Sequence, residues 1–369
     1  MKVPYVNLAA QYAAERESLL KAIDETLTTG TWIGGDIVGA LEDAFARYVG
    51  VRHAVAVASG TDALMIGMMA AGVKQGDEVI TAPNSFAAST AAIANIGAVP
   101  VFADVGYDEL IDPDAVEAAI TTRTAAIMPV HLRGSVCQMD RLGDIARKHG
   151  LAVIEDAAQS FGSKRFGTQA GAFGAVGCFS LHPLKGLNAC GDAGVLTTNS
   201  SEIAEFARLQ RNHGLRDRDT VIRWGTVSRL DPIQAAIVLD RMRRIETVFG
   251  RRRRSAGIYR RHFERYQMRM TSERSDEFHT FNTFVIQTAQ RDALQAYLTE
   301  REIGCAVHYK IPLHLQPAAA ALKYRKGQFP VTEELADVCL SIPVHQAHDD
   351  SAIEHVASSV CEFLDNNRP

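Results

Sequence analysis

Between residues 50 and 200, short apolar runs alternate with longer segments of helical periodicity, and this alternation leaves few possible folds. Six runs have the length and composition of strands: 53–59, 77–83, 99–105, 125–131, 151–157 and 175–181. Most are apolar on both faces, as buried strands of a parallel sheet are. Helical segments lie between them, and one of these ends at Gly150, a typical helix C-cap. The pattern predicts an α/β fold in three layers around a mainly parallel sheet.

A chain of 369 residues is too long for one small core and suits two domains of unequal size. Past about residue 235 the pattern changes to a long charged helix, followed by shorter mixed segments of helix and strand. We therefore expect a large domain over residues 1–240, which includes the N-terminal segment. Residues 241–369 are expected to form a linker helix and a smaller C-terminal α/β domain.

The composition excludes several classes of protein. A formal net charge of -4 gives no general attraction to nucleic acid or to an anionic membrane. The chain has neither an apolar run long enough to span a membrane nor a signal-peptide pattern at its start. Its six cysteines lack the spacing of a metal site or of a disulfide framework, so we expect free thiols and no metal. A cytoplasmic protein is the expectation.

Ligands of α/β folds bind at the carboxyl ends of the strands, so the residues there are the candidates for a site. The first strand passes through Ser59, Gly60 and Thr61 directly into a helical pattern. Free N–H groups at a helix N-terminus, with two hydroxyls and a permissive glycine, make a good phosphate site. Taken alone, these residues are more typical of an ordinary capped helix in a tight turn.

Two carboxylates, Glu155 and Asp156, end the strand at 151–157. Asp156 directly follows a buried run, and a buried carboxylate requires a positive partner. A protonated pyridine nitrogen is such a partner, and Gln159 is placed to bind the phenolic oxygen of the same cofactor. The alternative is a pair of solvated loop carboxylates.

Lys185 follows the strand at 175–181 and lies among proline, glycine and small residues. Partly apolar surroundings favour the neutral amine that Schiff-base chemistry requires. Ser180, at the end of the same strand, is a further candidate for a phosphate contact, whereas a plain surface lysine is the alternative for Lys185.

Together these residues make the set that a pyridoxal phosphate cofactor requires. A phosphate site is followed in the chain by Phe86 for ring stacking, by Asp156 for the ring nitrogen and by Lys185 for the aldehyde. Because all four parts occur in one chain, we predict pyridoxal phosphate as the cofactor.

Nine segments, in order, also match a known family: ASGTDAL (58–64), GDEVITAPNSFAAS (76–89), GAVPVFADV (97–105), PVHLRG (129–134), IEDAAQSFG (154–162), CFSLHPLKGLNACGDAG (178–194), RNHG (211–214), SRLDPIQAA (228–236) and VHYKIPLHLQPA (307–318). The chain resembles the DegT/StrS-type sugar aminotransferases, which belong to the fold type I, aspartate aminotransferase-like enzymes. The resemblance covers nearly the whole chain.

The resemblance implies a role for each candidate. Lys185 would hold the cofactor as a Schiff base and later shuttle a proton, and Asp156 would pair with the pyridinium nitrogen. Gln159 would contact the phenolic oxygen, and Phe86 would stack on the ring. The phosphate would be held by Gly60, Thr61 and Ser180.

The implied reaction moves an amino group from a donor, usually glutamate, to a keto sugar attached to a nucleotide. A homodimer with active sites at the subunit interface is also implied. The patterns at 191–194 and 308–318 are closer to relatives acting at the sugar 3-position. Two alternatives are amination of a keto-cyclitol and a non-catalytic regulatory protein that binds the cofactor. The intact Lys185, Asp156 and Gln159 argue against the regulatory protein.

Relatives with histidine at the lysine position dehydrate their substrate, and Lys185 disfavours that branch. His182, three residues earlier, is either structural or on the substrate side. In relatives the segment with His308, Tyr309 and His314 lines the substrate side, although core or loop histidines are the default.

Two positions depart from the family. Val227 stands where many relatives have an asparagine that reaches the neighbouring subunit's cofactor phosphate, and valine cannot donate a hydrogen bond. Arg133 replaces a more usual tyrosine, so it is either a partner for a substrate phosphate or carboxylate or an exposed loop arginine. The arginine-rich stretch 241–261 is interpreted as a solvated helix face and not as a nucleic-acid site, and a few of its arginines are candidates to meet a nucleotide diphosphate.

Overall fold

The computed structural model describes residues 1–367. Its α-helices are α1 (Leu8–Thr28), α2 (Asp36–Val49), α3 (Gly60–Ala70), α4 (Ala87–Asn95), α5 (Pro113–Ala118), α6 (Met139–His149), α7 (Ser201–Gln210), α8 (Pro232–Met242), α9 (Ile245–Phe263), α10 (Arg291–Glu300), α11 (Pro330–Val338) and α12 (Asp350–Asn366). Its strands are β1 (His53–Val57), β2 (Glu78–Thr81), β3 (Val99–Phe102), β4 (Thr124–Met128), β5 (Ala152–Asp156), β6 (Lys164–Arg165), β7 (Thr168–Gln169), β8 (Val176–Ser180), β9 (Gly194–Thr198), β10 (Glu277–Phe278), β11 (Phe284–Gln287) and β12 (Cys339–Ile342). Short 3-10 turns lie at Leu132–Gly134, Glu264–Tyr266, Leu313–Leu315 and Pro317–Leu322.

The central sheet has seven strands in the order β1-β9-β8-β5-β4-β2-β3. All six strands predicted from the sequence belong to it and run in one direction, which confirms a mainly parallel α/β sheet. The seventh strand, β9, is antiparallel to both of its neighbours. β9 was not predicted from the sequence, although its β-branched residues Val195, Thr197 and Thr198 favour a strand.

Helices cover both faces of the sheet. Adjacent side chains of a strand point to opposite faces, and β1 shows this clearly. Ala54 and Ala56 pack in one buried cluster with α2 and α6, whereas Val55 and Val57 pack in another with α3, α4 and α7. The predicted three-layer architecture is therefore confirmed. Gly150 ends α6 in the left-handed conformation, as its C-cap position predicted.

The smaller C-terminal α/β part is built on β11 and β12, which pair antiparallel. Its core contains side chains from α9, α10 and α12 and a single residue of the N-terminal segment, Val3. Val3 forms a bridge with Ile303, so the start of the chain packs with this part. The α/β class of both parts is confirmed, whereas the boundary at residue 240 stays a prediction.

The arginine-rich stretch forms two helices, the end of α8 and then α9. Arg251, Arg254 and Arg261 are exposed, as a solvated face requires. That interpretation is wrong for Arg241 and Arg252, which are buried because one side of each helix packs on the protein. The Arg241 guanidinium forms a buried ion pair with a carboxylate of α1.

The structure also bears on the expectations for cysteines, metal sites and membrane segments. All six cysteines are free, as predicted. Among residues 1–367, no group of histidine, cysteine or acidic side chains has a metal-site arrangement. Within the same residues, no helix is long and apolar enough to cross a bilayer.

Glu155, one of the two strand-end carboxylates, is completely buried and has a structural role. Its oxygens accept hydrogen bonds from the backbone N–H groups of Gly171, Phe173 and Gly174 at 2.6–2.8 Å. The His131 ring lies 2.9 Å away from the same carboxylate. Glu155 therefore ties the loop after β7 to the middle of the sheet.

We expect Glu155→Leu to lower the free energy of unfolding by about 3–5 kcal/mol, because it leaves three buried N–H groups and a histidine unpaired. Urea denaturation followed by circular dichroism measures the change. Glu155→Gln is the matched control, since it keeps the volume and one acceptor oxygen and is expected to lose less. An unchanged urea midpoint for Glu155→Leu would contradict the structural role.

Candidate active site

A cavity of about 300 Å³ opens at the carboxyl ends of β5 and β8, beside the N-terminus of α3. Side chains of the C-terminal part close its other side. The structure brings to this one cavity all seven predicted site residues: Gly60, Thr61, Phe86, Asp156, Gln159, Ser180 and Lys185.

The phosphate end of the cavity is the start of α3. Ser59 caps this helix, with its Oγ accepting a hydrogen bond from the Asp62 N–H at 3.1 Å. The N–H groups of Gly60 and Thr61 have no acceptor within the helix and lie free for a ligand. A Cβ on Gly60 would lie 2.7 Å from the Cβ of Ser180, so only glycine lets the helix end approach that strand. The same residues therefore cap the helix and leave two N–H groups directed at the cavity.

Asp156 is buried, and no salt bridge joins it to any described residue. Its Oδ2 accepts a hydrogen bond from Ser89 Oγ at 2.7 Å, and its Oδ1 accepts one from the Ala158 N–H at 3.1 Å. These neutral donors orient the carboxylate without balancing its charge. Sequence reasoning missed Ser89, because nothing local distinguishes its hydroxyl from that of the neighbouring Thr90.

Lys185 is half-buried, and its Nζ forms neither a hydrogen bond nor a salt bridge with any residue of the described chain. Burial lowers the pKa of its amine, and the Asp156 carboxylate partly opposes that shift. The backbone N–H of Lys185 donates to the His182 carbonyl at 2.9 Å and fixes the turn. Lys185 is thus an unpaired amine inside a cavity and not a solvated surface lysine.

Aromatic side chains form another wall of the cavity. Phe86 is 57% exposed at the start of α4, and its ring centroid lies 6.0 Å from that of Tyr309. Gln159 Nε2 donates to the Tyr309 hydroxyl at 3.4 Å. His308 also lines the cavity. His314 does not, because its ring is buried outside the cavity against a glutamate, as a core histidine.

Arg133 is neither exposed nor directed at the cavity, so the expectation of an exposed loop arginine is wrong. It is buried and forms an ion pair with Glu109. Its Nη2 donates to the His308 carbonyl at 2.6 Å, and its backbone N–H donates to Gln159 Oε1 at 3.0 Å. Arg133 therefore positions the segment that carries Tyr309. Its partner lies in a distant loop, which local sequence patterns do not reveal.

Two other positions have clear surroundings. The side chain of Val227 is 56% exposed, and it offers no hydrogen bond. The next residue, Ser228, was not predicted: its Oγ donates to Asp62 Oδ2 at 2.9 Å and accepts from the Ala58 N–H at 3.2 Å. His182 is exposed at the cavity mouth, and its Nδ1 accepts a hydrogen bond from the Leu184 N–H at 3.3 Å, so its role stays a prediction.

Comparison with known proteins identifies the family and the fold. Residues 13–361 match the model of the DegT/DnrJ/EryC1/StrS aminotransferase family. The chain belongs to this family. Membership confirms the resemblance read from the sequence, the aminotransferase class and pyridoxal phosphate as the cofactor.

Relatives of the family align over almost their full lengths. A "pleiotropic regulatory protein" of Geobacillus stearothermophilus is 39% identical, over 98% of this chain and 99% of its own. A UDP-N-acetyl-3-dehydro-alpha-D-glucosamine 3-aminotransferase of Acidithiobacillus ferrooxidans is 38% identical, over 98% of each chain. The crystal structure of Streptomyces venezuelae DesV in complex with a ketimine intermediate superposes with a TM-score of 0.96, at 35% identity and 98% coverage of each chain.

The residues present fit the family cofactor. The free N–H groups at the start of α3 and the close approach of Gly60 to Ser180 suit a phosphate group. The buried and uncompensated carboxylate of Asp156 suits a protonated ring nitrogen. The unpaired amine of Lys185 suits a covalent link to an aldehyde.

We expect Gly60→Ala to weaken pyridoxal phosphate binding about tenfold or more, because the added methyl group forces the helix end away from Ser180. Titration of the apoprotein with the cofactor, followed by absorbance, measures the affinity. Gly39→Ala is the matched control, since a Cβ there meets no atom within 4 Å. Equal affinities for the two variants would show that the close approach does not hold the phosphate.

Proposed function

We propose that this aminotransferase moves an amino group from glutamate to the 3-keto group of a nucleotide-linked sugar. Lys185 and Asp156, which face one cavity with neither charge balanced by an ion pair, are the observation that carries the proposal. The name of the Acidithiobacillus ferrooxidans relative supports both the nucleotide-linked acceptor and the 3-position.

Each side chain has a distinct task in this proposal. When bound, pyridoxal phosphate supplies an electron sink that acidifies the C–H bond beside the transferred nitrogen. Lys185 Nζ, whose pKa is lowered by burial, accepts that proton and returns it. Asp156 keeps the ring nitrogen protonated, and Gln159 binds the phenolic oxygen. Phe86 covers one face of the ring.

The phosphate group would be held at the start of α3. The N–H groups of Gly60 and Thr61 and the hydroxyl of Ser180 are the proposed donors, because they converge at the helix end. Val227 offers no such donor from a neighbouring subunit, so these contacts within one chain carry more of the phosphate binding.

A regulatory protein that binds the cofactor without turnover is the second candidate. The name of the Geobacillus stearothermophilus relative favours it. The free Lys185 amine argues against it, because a sensor need not keep a proton-transferring lysine. A keto-cyclitol acceptor remains the alternative substrate, and screening acceptors against the aminated enzyme separates it from nucleotide sugars.

We expect wild-type protein with pyridoxal phosphate to show the visible band of the lysine-bound cofactor, and glutamate to bleach it. Lys185→Ala is expected to bind cofactor without that band and to lose transamination, since no other amine of the chain replaces Nζ. Lys310→Ala, an exposed lysine beside the cavity segment, is the control and should behave as wild type. Undiminished turnover in Lys185→Ala would refute the proposal, and a wild-type band that ignores glutamate would favour the regulatory protein.

We also propose the domain division at residue 240, a cytoplasmic location and a homodimer. The core formed largely by residues 256–363 supports the division, and the six free cysteines support the location.

Large apolar side chains on two surface segments support the dimer: Trp32 and Ile33 are 69% and 62% exposed, and Trp224 is 90% exposed. Side chains of this kind mark protein interfaces.

If Trp224 lies in the dimer interface, Trp224→Arg should shift the protein to monomer at low concentration, because a charge replaces a buried anchor. Sedimentation velocity over a dilution series measures the shift. Circular dichroism checks that the variant is folded. A wild-type protein that is monomeric throughout would contradict the homodimer, and an unshifted variant would exclude Trp224 from the interface.

A further inference from the structure

Five arginines are buried in the described chain: Arg133, Arg165, Arg241, Arg252 and Arg291. Four of them form an ion pair with a carboxylate. Arg252 forms none with any residue from 1 to 367, although it is only 2% exposed. Because an unpaired buried charge is strongly unfavourable, this exception calls for an anion from outside the chain. Arg252 lines the active-site cavity.

Two of the three nitrogen atoms of the Arg252 guanidinium form hydrogen bonds. Its Nε donates to Gln346 Oε1 at 2.9 Å, and its Nη1 donates to the carbonyls of Phe281 and Asn282 at 3.1 and 2.9 Å. Its Nη2 has no acceptor in the described residues. Burial lowers the pKa of Arg252 to about 10, and Tyr5 is the one group that opposes the shift. Since burial raises the pKa of Tyr5 to about 12, Arg252 at neutral pH is a cation without an anion.

Two neutral donors lie in the same wall of the cavity. His345 Nδ1 accepts a hydrogen bond from the Ala347 N–H at 3.3 Å, so the ring proton is on Nε2, which is buried and has no described partner. Burial and the charge of Arg252 lower the pKa of His345 to about 2, which keeps the ring neutral. The hydroxyl of Thr283 is also buried without a partner, as is the amide oxygen of Asn282 beside it.

We propose that Arg252, with His345 and Thr283, binds a carboxylate of the amino-acid donor. The assignment rests on the proposed function, which requires a donor whose amino group reaches the Lys185 side of this cavity. One free guanidinium end and two neutral donors match the charge and the oxygens of one carboxylate. A diphosphate carries more charge than a single buried cation balances, and it requires a more open wall.

The test compares Arg252→Met with Arg251→Met, its exposed neighbour on α9. In single-turnover bleaching of the lysine-bound cofactor, Arg252→Met should raise the half-saturating glutamate concentration about 10- to 100-fold, as loss of a charge-assisted hydrogen bond does. Arg251→Met should match wild type. Reaction with hydroxylamine, an amine without a carboxylate, should be equally fast in all three proteins.

A binding measurement gives a readout apart from activity. Calorimetric titration with glutarate, which has the carboxylates but no amino group, should show binding to wild type and to Arg251→Met. Binding should be lost in Arg252→Met and partly restored in Arg252→Lys. If wild type fails to react with glutamate, the proposed function fails, whereas this glutarate pattern would still support the carboxylate site.

Three results would overturn the proposal. Unchanged glutamate and glutarate constants in Arg252→Met would mean that the guanidinium meets no donor carboxylate. A parallel loss of hydroxylamine reactivity would assign Arg252 a purely structural role in holding the Phe281 and Asn282 carbonyls. An Arg252→Met variant impaired only with a uronate acceptor would assign the carboxylate to the sugar and not to the donor.

Discussion

The uncompensated carboxylate of Asp156 is the constraint around which the site is arranged. Strand β5 ends in two acidic residues that point to opposite faces of the sheet. Three backbone N–H groups donate hydrogen bonds to the Glu155 carboxylate, so its charge is stabilised within the fold. Asp156 receives only two neutral hydrogen bonds, and its remaining charge acts on the ligand side. One strand therefore provides structural and chemical carboxylates at adjacent positions.

The same division recurs among the arginines. Arg133 has its charge balanced by Glu109 and acts by geometry, since it fixes the backbone that carries Tyr309. Arg252 lacks such a partner and keeps its charge toward the cavity. Pairing within the chain thus distinguishes Arg133 from Arg252, which is the residue proposed to meet a ligand.

The sequence was informative wherever a local pattern carried the signal. The six parallel strands, the Gly150 cap and the seven site residues all lie in short segments whose composition is distinctive. Contacts between distant segments were not accessible in this way. Ser89 with Asp156, Glu109 with Arg133, and the burial of Arg252 each depend on how separate elements pack. Strand β9 was not predicted, because a run of five residues is too short for periodicity alone to establish a strand.

The antiparallel β9 has a consequence for the reactive lysine. Ser180 at the end of β8 pairs with Gly194 at the start of β9, and Gly194 also pairs with Val57 of β1. The loop at 181–193 is pinned again at its base, where the Leu181 N–H donates to the Ala193 carbonyl at 2.8 Å. Lys185 therefore lies on a loop whose two ends pair with each other, and this pairing lies beside the proposed phosphate site. The sheet therefore fixes both ends of the lysine loop beside the proposed phosphate site.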